Sequence, residues 1–476
     1  MGKLTRRLAL AGWMLGMAGA VQGADFAPCE DAGSKPALKG SLCAIASVPG
    51  DPSGLSGAPG GDMKLFVRKF PSPGATRGQV WLIAGGPGES GASFYGLVPQ
   101  LRNAFPEFDL IMPDHRGTGF STRLCPDEEA PGSSGGAALA GPEWASCFRR
   151  LNENPAYARR FSETNAAHDL KLLVERTPRK GRTFLYGVSY GTQLVLRTLA
   201  LGTTGVDGVV LDSLVPLQDD ATADLSRRSL VTDRIGREVL AECDGRRGCS
   251  RALGGERGEA IYRRLLERAA ADPAVLAKVP GKNLKRFLGG LLDLPAAADQ
   301  IPYLIKELDS GQDARLQKIF AEVEREVSIF GTFPQSPVSI PLVALITASE
   351  NNLQPHRTAE EVRTEEAGLL FSSSIPALLV EPGLPLYGRD ALFARLPERL
   401  PPTLVLQGER DPKTPYDAAM RHVDKLRETG PVQVRTDRFG AHFVLWSGSA
   451  CSKAAVREFV LGAASQTRCV EVIARE

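Results

Sequence analysis

The chain has 476 residues, 43% of them hydrophobic and 24% charged, and its 57 basic and 55 acidic side chains leave a formal charge of +2. That near balance excludes a binder driven by charge onto nucleic acid or an anionic membrane, and the apolar fraction excludes a disordered chain. The length fits one large domain with an insertion, or two domains, and the 50 glycines and 34 prolines imply many turns without repeats or low-complexity tracts.

Met1 to about Gly23 carries Lys3, Arg6 and Arg7, then an apolar stretch from Leu8 to Val21 relieved by glycines. This is the pattern of a secretory signal peptide, too short and glycine-rich for a stable membrane span, with cleavage expected after Gly23 or Ala20. Thr5-Arg6-Arg7-Leu8 also fits a twin-arginine signal, although an arginine pair alone specifies little. Loss of the three basic residues with the leader takes the formal charge to −1. No later run is long and apolar enough to cross a bilayer, so a soluble exported protein, periplasmic or extracellular, is expected.

Cysteine usage agrees with export. All eight cysteines follow the leader and form four sequence-local pairs: Cys29 with Cys43, Cys125 with Cys147, Cys243 with Cys249, and Cys451 with Cys469. Eight cysteines allow about 105 pairings, of which local pairing is the simplest, and such bridges persist in an oxidising compartment. Zinc is a poor alternative, because only Cys243 and Cys249 are close and the five histidines are scattered. No metal or organic cofactor is expected. Arg246-Arg247 and Arg263-Arg264 read as solvated faces.

The first half alternates strands and helices. Leu42 to Val48 and Met63 to Lys69 read as an opening antiparallel pair. Val80 to Ile83 is a buried strand entering Ala84-Gly85-Gly86-Pro87-Gly88, and Phe108 to Met112 is another, ending in Pro113-Asp114-His115-Arg116-Gly117-Thr118-Gly119. Ala166 to Arg176 is an amphipathic helix, Thr183 to Tyr186 a strand, Thr192 to Leu201 a helix, and Val209 to Leu211 a strand closing at Asp212. Alternation of this kind specifies a largely parallel sheet covered by helices. From about Leu214 to Arg395 helical spacing takes over, as in Ile261, Leu265, Leu266, Ala269, then Leu284, Phe287, Leu288, Leu291, then Leu316, Ile319, Phe320, Val323, Val327. The sheet resumes at Thr403 to Leu406, a helix spans Asp417 to Leu426, Val432 to Arg435 is the last strand, and Ala454 to Leu461 closes the chain. The expected organisation is a signal peptide over 1–23, a first core part over 24–213, a helical cap over 214–395 and a second core part over 396–476.

Gly187-Val188-Ser189-Tyr190-Gly191 sits between a strand and a helix. In that context it describes a nucleophile elbow, whose crowded turn excludes side chains on both flanking positions. The helix N-terminus at Ser189 favours developing negative charge. A serine nucleophile needs a base, and the base needs an orienting acid, in the chain order Ser, acid, His. Asp411 follows a late strand in Gln407-Gly408-Glu409-Arg410-Asp411-Pro412, and His442 lies after the last strand in Phe439-Gly440-Ala441-His442-Phe443. His168 and His422 fall on helix patterns, His356 follows a proline in the cap, and His115 adjoins a structural turn. Asp212 rivals Asp411 as the acid, because it ends the strand after the elbow helix; Glu409 and Asp437 are lesser candidates. The oxyanion of acyl transfer is expected between the backbone N–H of Tyr190 and one from the glycine loop, Gly86 first and Gly85 second.

Gly85-Gly86-Pro87-Gly88, Asp114-His115-Arg116-Gly117-Thr118-Gly119-Phe120-Ser121, Gly187-Val188-Ser189-Tyr190-Gly191-Thr192 and Gly408-x-x-Asp411-x-x-Thr414-Pro415 form a set. Together they resemble the proline-iminopeptidase-like α/β-hydrolases, and among them the secreted bacterial tripeptidyl-aminopeptidase branch with its large cap, from about Cys43 to Cys469. The resemblance implies an α/β-hydrolase fold and release of residues from a free amino terminus. It also implies a cap carboxylate that holds the substrate ammonium, which would fall on Glu350 in Thr347-Ala348-Ser349-Glu350-Asn351. The chain departs from the pattern at Ala84, at His115, and at Phe443, where the family commonly has Gly-His-Gly. The functional expectation is a secreted serine hydrolase, an aminopeptidase of prolyl or tripeptidyl type, acting on a peptide or small acyl substrate. An esterase or lipase-like hydrolase shares the mechanism, and a non-catalytic binding protein on this scaffold would be expected to lack triad members.

Overall fold

A computed structural model describes residues 25–57, 60–130, 133 and 142–462; the expected leader and Cys469 lie outside them. Nine strands form one sheet: β1 Ala27–Pro28, β2 Leu42–Pro49, β3 Asp62–Phe70, β4 Gly78–Ile83, β5 Phe108–Pro113, β6 Arg182–Val188, β7 Gly208–Asp212, β8 Thr403–Gly408 and β9 Val432–Asp437. Their order is β1-β2-β3-β5-β4-β6-β7-β8-β9. The β1, β2, β3 and β5 contacts are antiparallel, and every pairing from β5 through β4 to β9 is parallel.

The parallel strands are apolar along their length because helices cover both faces. Trp81, Ile83, Leu185, Leu211 and Val405 enter one core. Val80, Leu82, Phe184, Tyr186, Val210 and Leu406 enter the other. The register aligns Ile83 with Gly187, Gly187 with Leu211, Leu211 with Val405 and Val405 with Val434. Loops leaving the carboxyl ends of β4, β6, β7, β8 and β9 therefore emerge along one edge, where open parallel sheets bind their ligands.

Among the described residues between β7 and β8, every regular element is a helix. Ile261, Leu265, Leu284, Leu288, Leu316 and Ile319 bury one another in a third core, so the helical spacing read from the sequence marks faces that pack on each other. One helix of this stretch, Ile340–Glu350, does not share that core. It is buried along its whole length and joins the main core through Ile340, Leu342, Leu345 and Ile346. Apolar without a break from Ile340 to Ile346, it left no amphipathic stripe to read.

The elbow helix begins at Tyr190 rather than Thr192, and the helix before β6 begins at Glu163, capped by Ser162. Cys29–Cys43, Cys125–Cys147 and Cys243–Cys249 are disulfides with Cα separations of 5.0, 5.6 and 5.2 Å. Each closes a short loop, at a separation disulfide geometry allows. No described helix is long and apolar enough to cross a membrane.

Candidate active site

Ser189 occupies the turn between β6 and the helix Tyr190–Ala200 with φ 55° and ψ −127°. A non-glycine residue holds such a conformation only when its surroundings enforce it, and these positions concentrate at functional sites. The enforcement is steric. A Cβ on Gly187 would stand 2.4 Å from the Gly191 carbonyl oxygen, and one on Gly191 would stand 2.3 Å from that of Ile83. Neither glycine can be replaced without moving backbone, which is the physical content of the pentapeptide.

The loop after β4 lies directly against this serine. A Cβ on Gly85 would approach Ser189 Cβ to 3.1 Å, and Gly86 takes a positive φ of 111° that only glycine adopts freely. The Gly88 carbonyl accepts from the Ser339 N–H at 2.9 Å, so the start of the buried helix Ile340–Glu350 pins the loop. Tyr190 N–H, at the first turn of its helix, and Gly86 N–H meet no acceptor among the described residues. Two free donors beside one hydroxyl can receive an oxyanion.

His442 and Asp411 meet. The imidazole Nδ1 lies 2.9 Å and 3.1 Å from the two Asp411 carboxylate oxygens. Asp411 is fully buried and His442 keeps 13% of its side-chain surface exposed. Burial alone would raise the Asp411 pKa, but the His442 charge and hydrogen bonds from His442 and Thr414 outweigh it and hold the carboxyl at about 2. Thr414 Oγ1 donates to it at 2.6 Å, and the Lys413 and Thr414 N–H groups donate at 2.8 Å. A carboxylate fixed this way accepts the Nδ1 proton and leaves Nε2 free to accept another. Ser189 and His442 line the same cleft, of about 780 Å³. The Ser189 hydroxyl has no hydrogen bond among the described residues; serine–histidine contacts of this type tighten when substrate binds.

Asp212, the rival acid, is engaged elsewhere. It accepts from Tyr186 Oη at 2.7 Å and from the Val444 and Leu445 N–H groups at 2.7 and 2.8 Å. Burial raises its carboxyl to about 6 against those hydrogen bonds and the His442 charge. Its contacts clamp the loop that carries His442. Ser213 adds to the clamp, its hydroxyl accepting from Phe443 N–H at 2.8 Å. Phe443 stands at φ 61°, the left-handed region that glycine adopts without strain, so the sequence departure at this position has a backbone cost. Its ring packs 6.3 Å from Phe94 and Trp446 and 6.2 Å from Phe330. Val327, Phe330, Phe443 and Trp446 give the cleft an apolar wall.

Glu350 does not present a free carboxylate. Its two oxygens accept from Arg197 at 2.9 and 3.0 Å, and both side chains are buried. Glu163 lies 3.4 Å from Arg197 on another side. A buried guanidinium demands such partners, so the Glu350 carboxylate is engaged by Arg197 and does not line the cleft beside Ser189. Nothing in the sequence pairs residues 153 positions apart. The Asp114–Ser121 motif is structural: Asp114 accepts from Gly91 and Phe120 N–H at 2.9 Å, and Arg116 forks onto Asp169 at 2.6 and 2.7 Å. His115 is buried, which pushes its pKa down to about 4. Sequence reasoning missed Arg228, Lys413 and the apolar wall, which carry no local motif.

Comparison with known proteins adds two family matches. Residues 80–233 match the model of the alpha/beta hydrolase fold, and residues 383–468 match that of TAP-like proteins. Serine protease Hip1 of Mycobacterium tuberculosis is 23% identical over 480 residues, covering 93% of this chain and 89% of Hip1; the Mycobacterium bovis protein of the same name matches equally. Similar solved structures include a proline iminopeptidase from Mycobacterium smegmatis, 14% identical with a TM-score of 0.36 over 84% of this chain and 96% of that one. An esterase from Exiguobacterium antarcticum is 12% identical with a TM-score of 0.36, over 84% and 95%.

Proposed function

The chain belongs to the tripeptidyl-aminopeptidase-like family of α/β-hydrolases, and from that premise we propose that it is an exported serine aminopeptidase acting through Ser189, His442 and Asp411. The observation that carries the reading is the buried Asp411 carboxylate on His442 Nδ1, in the cleft that also holds the strained Ser189.

In the proposed reaction His442 Nε2 takes the Ser189 proton while Oγ attacks the substrate carbonyl. The oxyanion collects on the N–H groups of Gly86 and Tyr190, with Gly85 giving the close approach. The protonated imidazole, stabilised by Asp411, then protonates the leaving amine. An acyl-enzyme remains, and water activated by the same histidine releases it. None of these steps calls for a metal or organic cofactor.

The free-amino-terminus preference rests on the family. With Glu350 engaged by Arg197, the carboxylate in the cleft suited to an ammonium is Glu89, which follows the glycine loop and, among the described residues, accepts a side-chain hydrogen bond from Ser93 alone, at 3.3 Å. Export is supported by the three disulfides and the leader-like first residues. The deciding experiment assays the purified protein on free and N-blocked peptidyl amides beside short acyl esters. Turnover of free peptides alone supports an aminopeptidase, whereas equal turnover of blocked ones, or turnover of esters alone, would overturn it in favour of an endopeptidase or an esterase.

A further inference from the structure

The cleft beside Ser189 contains a cation that forms no ion pair among the described residues. Arg228 lines both this cleft and a smaller cavity of about 80 Å³ that Ser189 and Tyr190 also line. Among the described residues its guanidinium has no ion pair and no hydrogen-bond acceptor. The other cations of the cleft are matched: Lys413 holds Asp293 at 2.8 Å, and Arg286 holds Glu366 at 3.4 Å. Glu89, the remaining acid lining the cleft, forms no ion pair with Arg228.

Neither its place in the helix nor its burial suits an idle surface charge. Arg228 opens the α-helix Arg228–Gly245 directly behind a 3-10 turn, Leu225–Arg227, capped by Asp224, so its charge sits towards the positive rather than the negative end of the helix dipole. The residue is also partly buried, so the guanidinium forgoes water for at least some of its five donors and gains no protein acceptor in return. Burial lowers its pKa against the pull of Asp411 and Asp293, yet an arginine stays charged. A planar fork held open in a ligand cleft matches a carboxylate in bidentate geometry.

We propose that Arg228 is a specificity-determining residue that binds a carboxylate of the substrate, so that the preferred substrates are peptides carrying a negative charge close to the cleaved bond. The inference rests on the hydrolase reading above. The carboxylate has two sources, an acidic side chain or the free carboxyl terminus of a short peptide, and both offer the same group to the guanidinium.

The test compares kcat/KM within matched pairs: Glu against Gln at each position flanking the cleaved bond, and a free carboxyl terminus against its amide. The native protein is expected to favour the charged member of one series by about 10- to 100-fold, mostly through KM, as one charged hydrogen-bonded pair predicts. Which series responds identifies the source. Arg228→Gln should bring that ratio close to one, and Arg228→Lys should keep part of it, because a point charge remains without the fork. A ratio normalises for any general loss of activity. Indifference of the native protein to both series, or an unchanged ratio in Arg228→Gln, would overturn the proposal. Binding of the same peptides to Ser189→Ala, measured by calorimetry, keeps the two readings apart. Selective binding of charged peptides without turnover by the native protein would sink the hydrolase reading alone, and absence of selectivity would sink the carboxylate site.

Discussion

Asp411→Asn probes the site in the place where sequence offered two acids. The native carboxyl is held near pH 2 against an ordinary 3.8, chiefly because the His442 charge and hydrogen bonds overcome burial. At roughly 1.4 kcal/mol per unit, that net shift is about 2 kcal/mol in favour of the charged carboxylate, or some 30-fold in rate if all of it acts on the transition state. The substitution does more than remove charge. An amide NH2 facing Nδ1 would donate to it and drive the imidazole proton to Nε2, where it blocks acceptance of the serine proton. Loss of both effects predicts a fall in kcat of about 10⁴ with KM little changed, the size seen when a triad acid becomes its amide. The assay is steady-state hydrolysis of a free tripeptidyl amide by Asp411→Asn and Asp212→Asn side by side. Asp212→Asn should lose some of its clamp on Val444 and Leu445, costing stability by about 1–3 kcal/mol while leaving kcat within about tenfold. The reverse ranking, with Asp411→Asn near native activity and Asp212→Asn inert, would refute the assignment.

Other expectations follow from the same contacts. Glu350→Ala should destabilise the fold by about 3–5 kcal/mol in denaturant unfolding, because it strands Arg197 in the interior; a large KM effect with unchanged stability would restore a substrate-binding role. Burial and the Glu350 charge raise Glu163 to about 8 from 4.5, against the pull of Arg197. A raised folded-state value means its favourable contribution is complete below about pH 4.5 and is lost as pH rises through about 8, so Glu163→Gln should gain thermal stability over the native protein at pH 9 but not at pH 4. Phe443→Gly should be more stable than Phe443→Ala by about 1 kcal/mol, since both lose the ring while only glycine relieves the left-handed backbone; equal stabilities would show that the backbone carries no strain.

What could be read in advance was local. The elbow, its flanking strand and helix, and the strand-end positions of Asp411 and His442 are each encoded within a dozen residues, and the structure brings Asp411 and His442 into contact. The sheet order was not legible, because pairing of β3 with β5 and of β5 with β4 is decided by which faces bury each other, not by spacing. The pairing of Glu350 was hidden for the same reason. Its sequence context matched a ligand-binding segment, but its partner Arg197 lies on the elbow helix and only folding brings them together. Arg228 shows the converse: an ordinary residue in an arginine pair becomes informative only once Lys413 and Arg286, the other cations of the cleft, are seen to hold acids while it holds none among the described residues. Phe443 lies between these cases: the sequence marks only a missing glycine in a family loop, and the positive φ shows what its absence costs the backbone.

A Ser189 nucleophile activated by its surroundings is read directly by covalent labelling. Intact-mass spectrometry after incubation with a fluorophosphonate should show one adduct, mapped by peptide sequencing to Ser189, slowed about 10³-fold or more in His442→Ala and absent in Ser189→Ala. An adduct on another residue, or labelling of Ser189 that does not depend on His442, would contradict it.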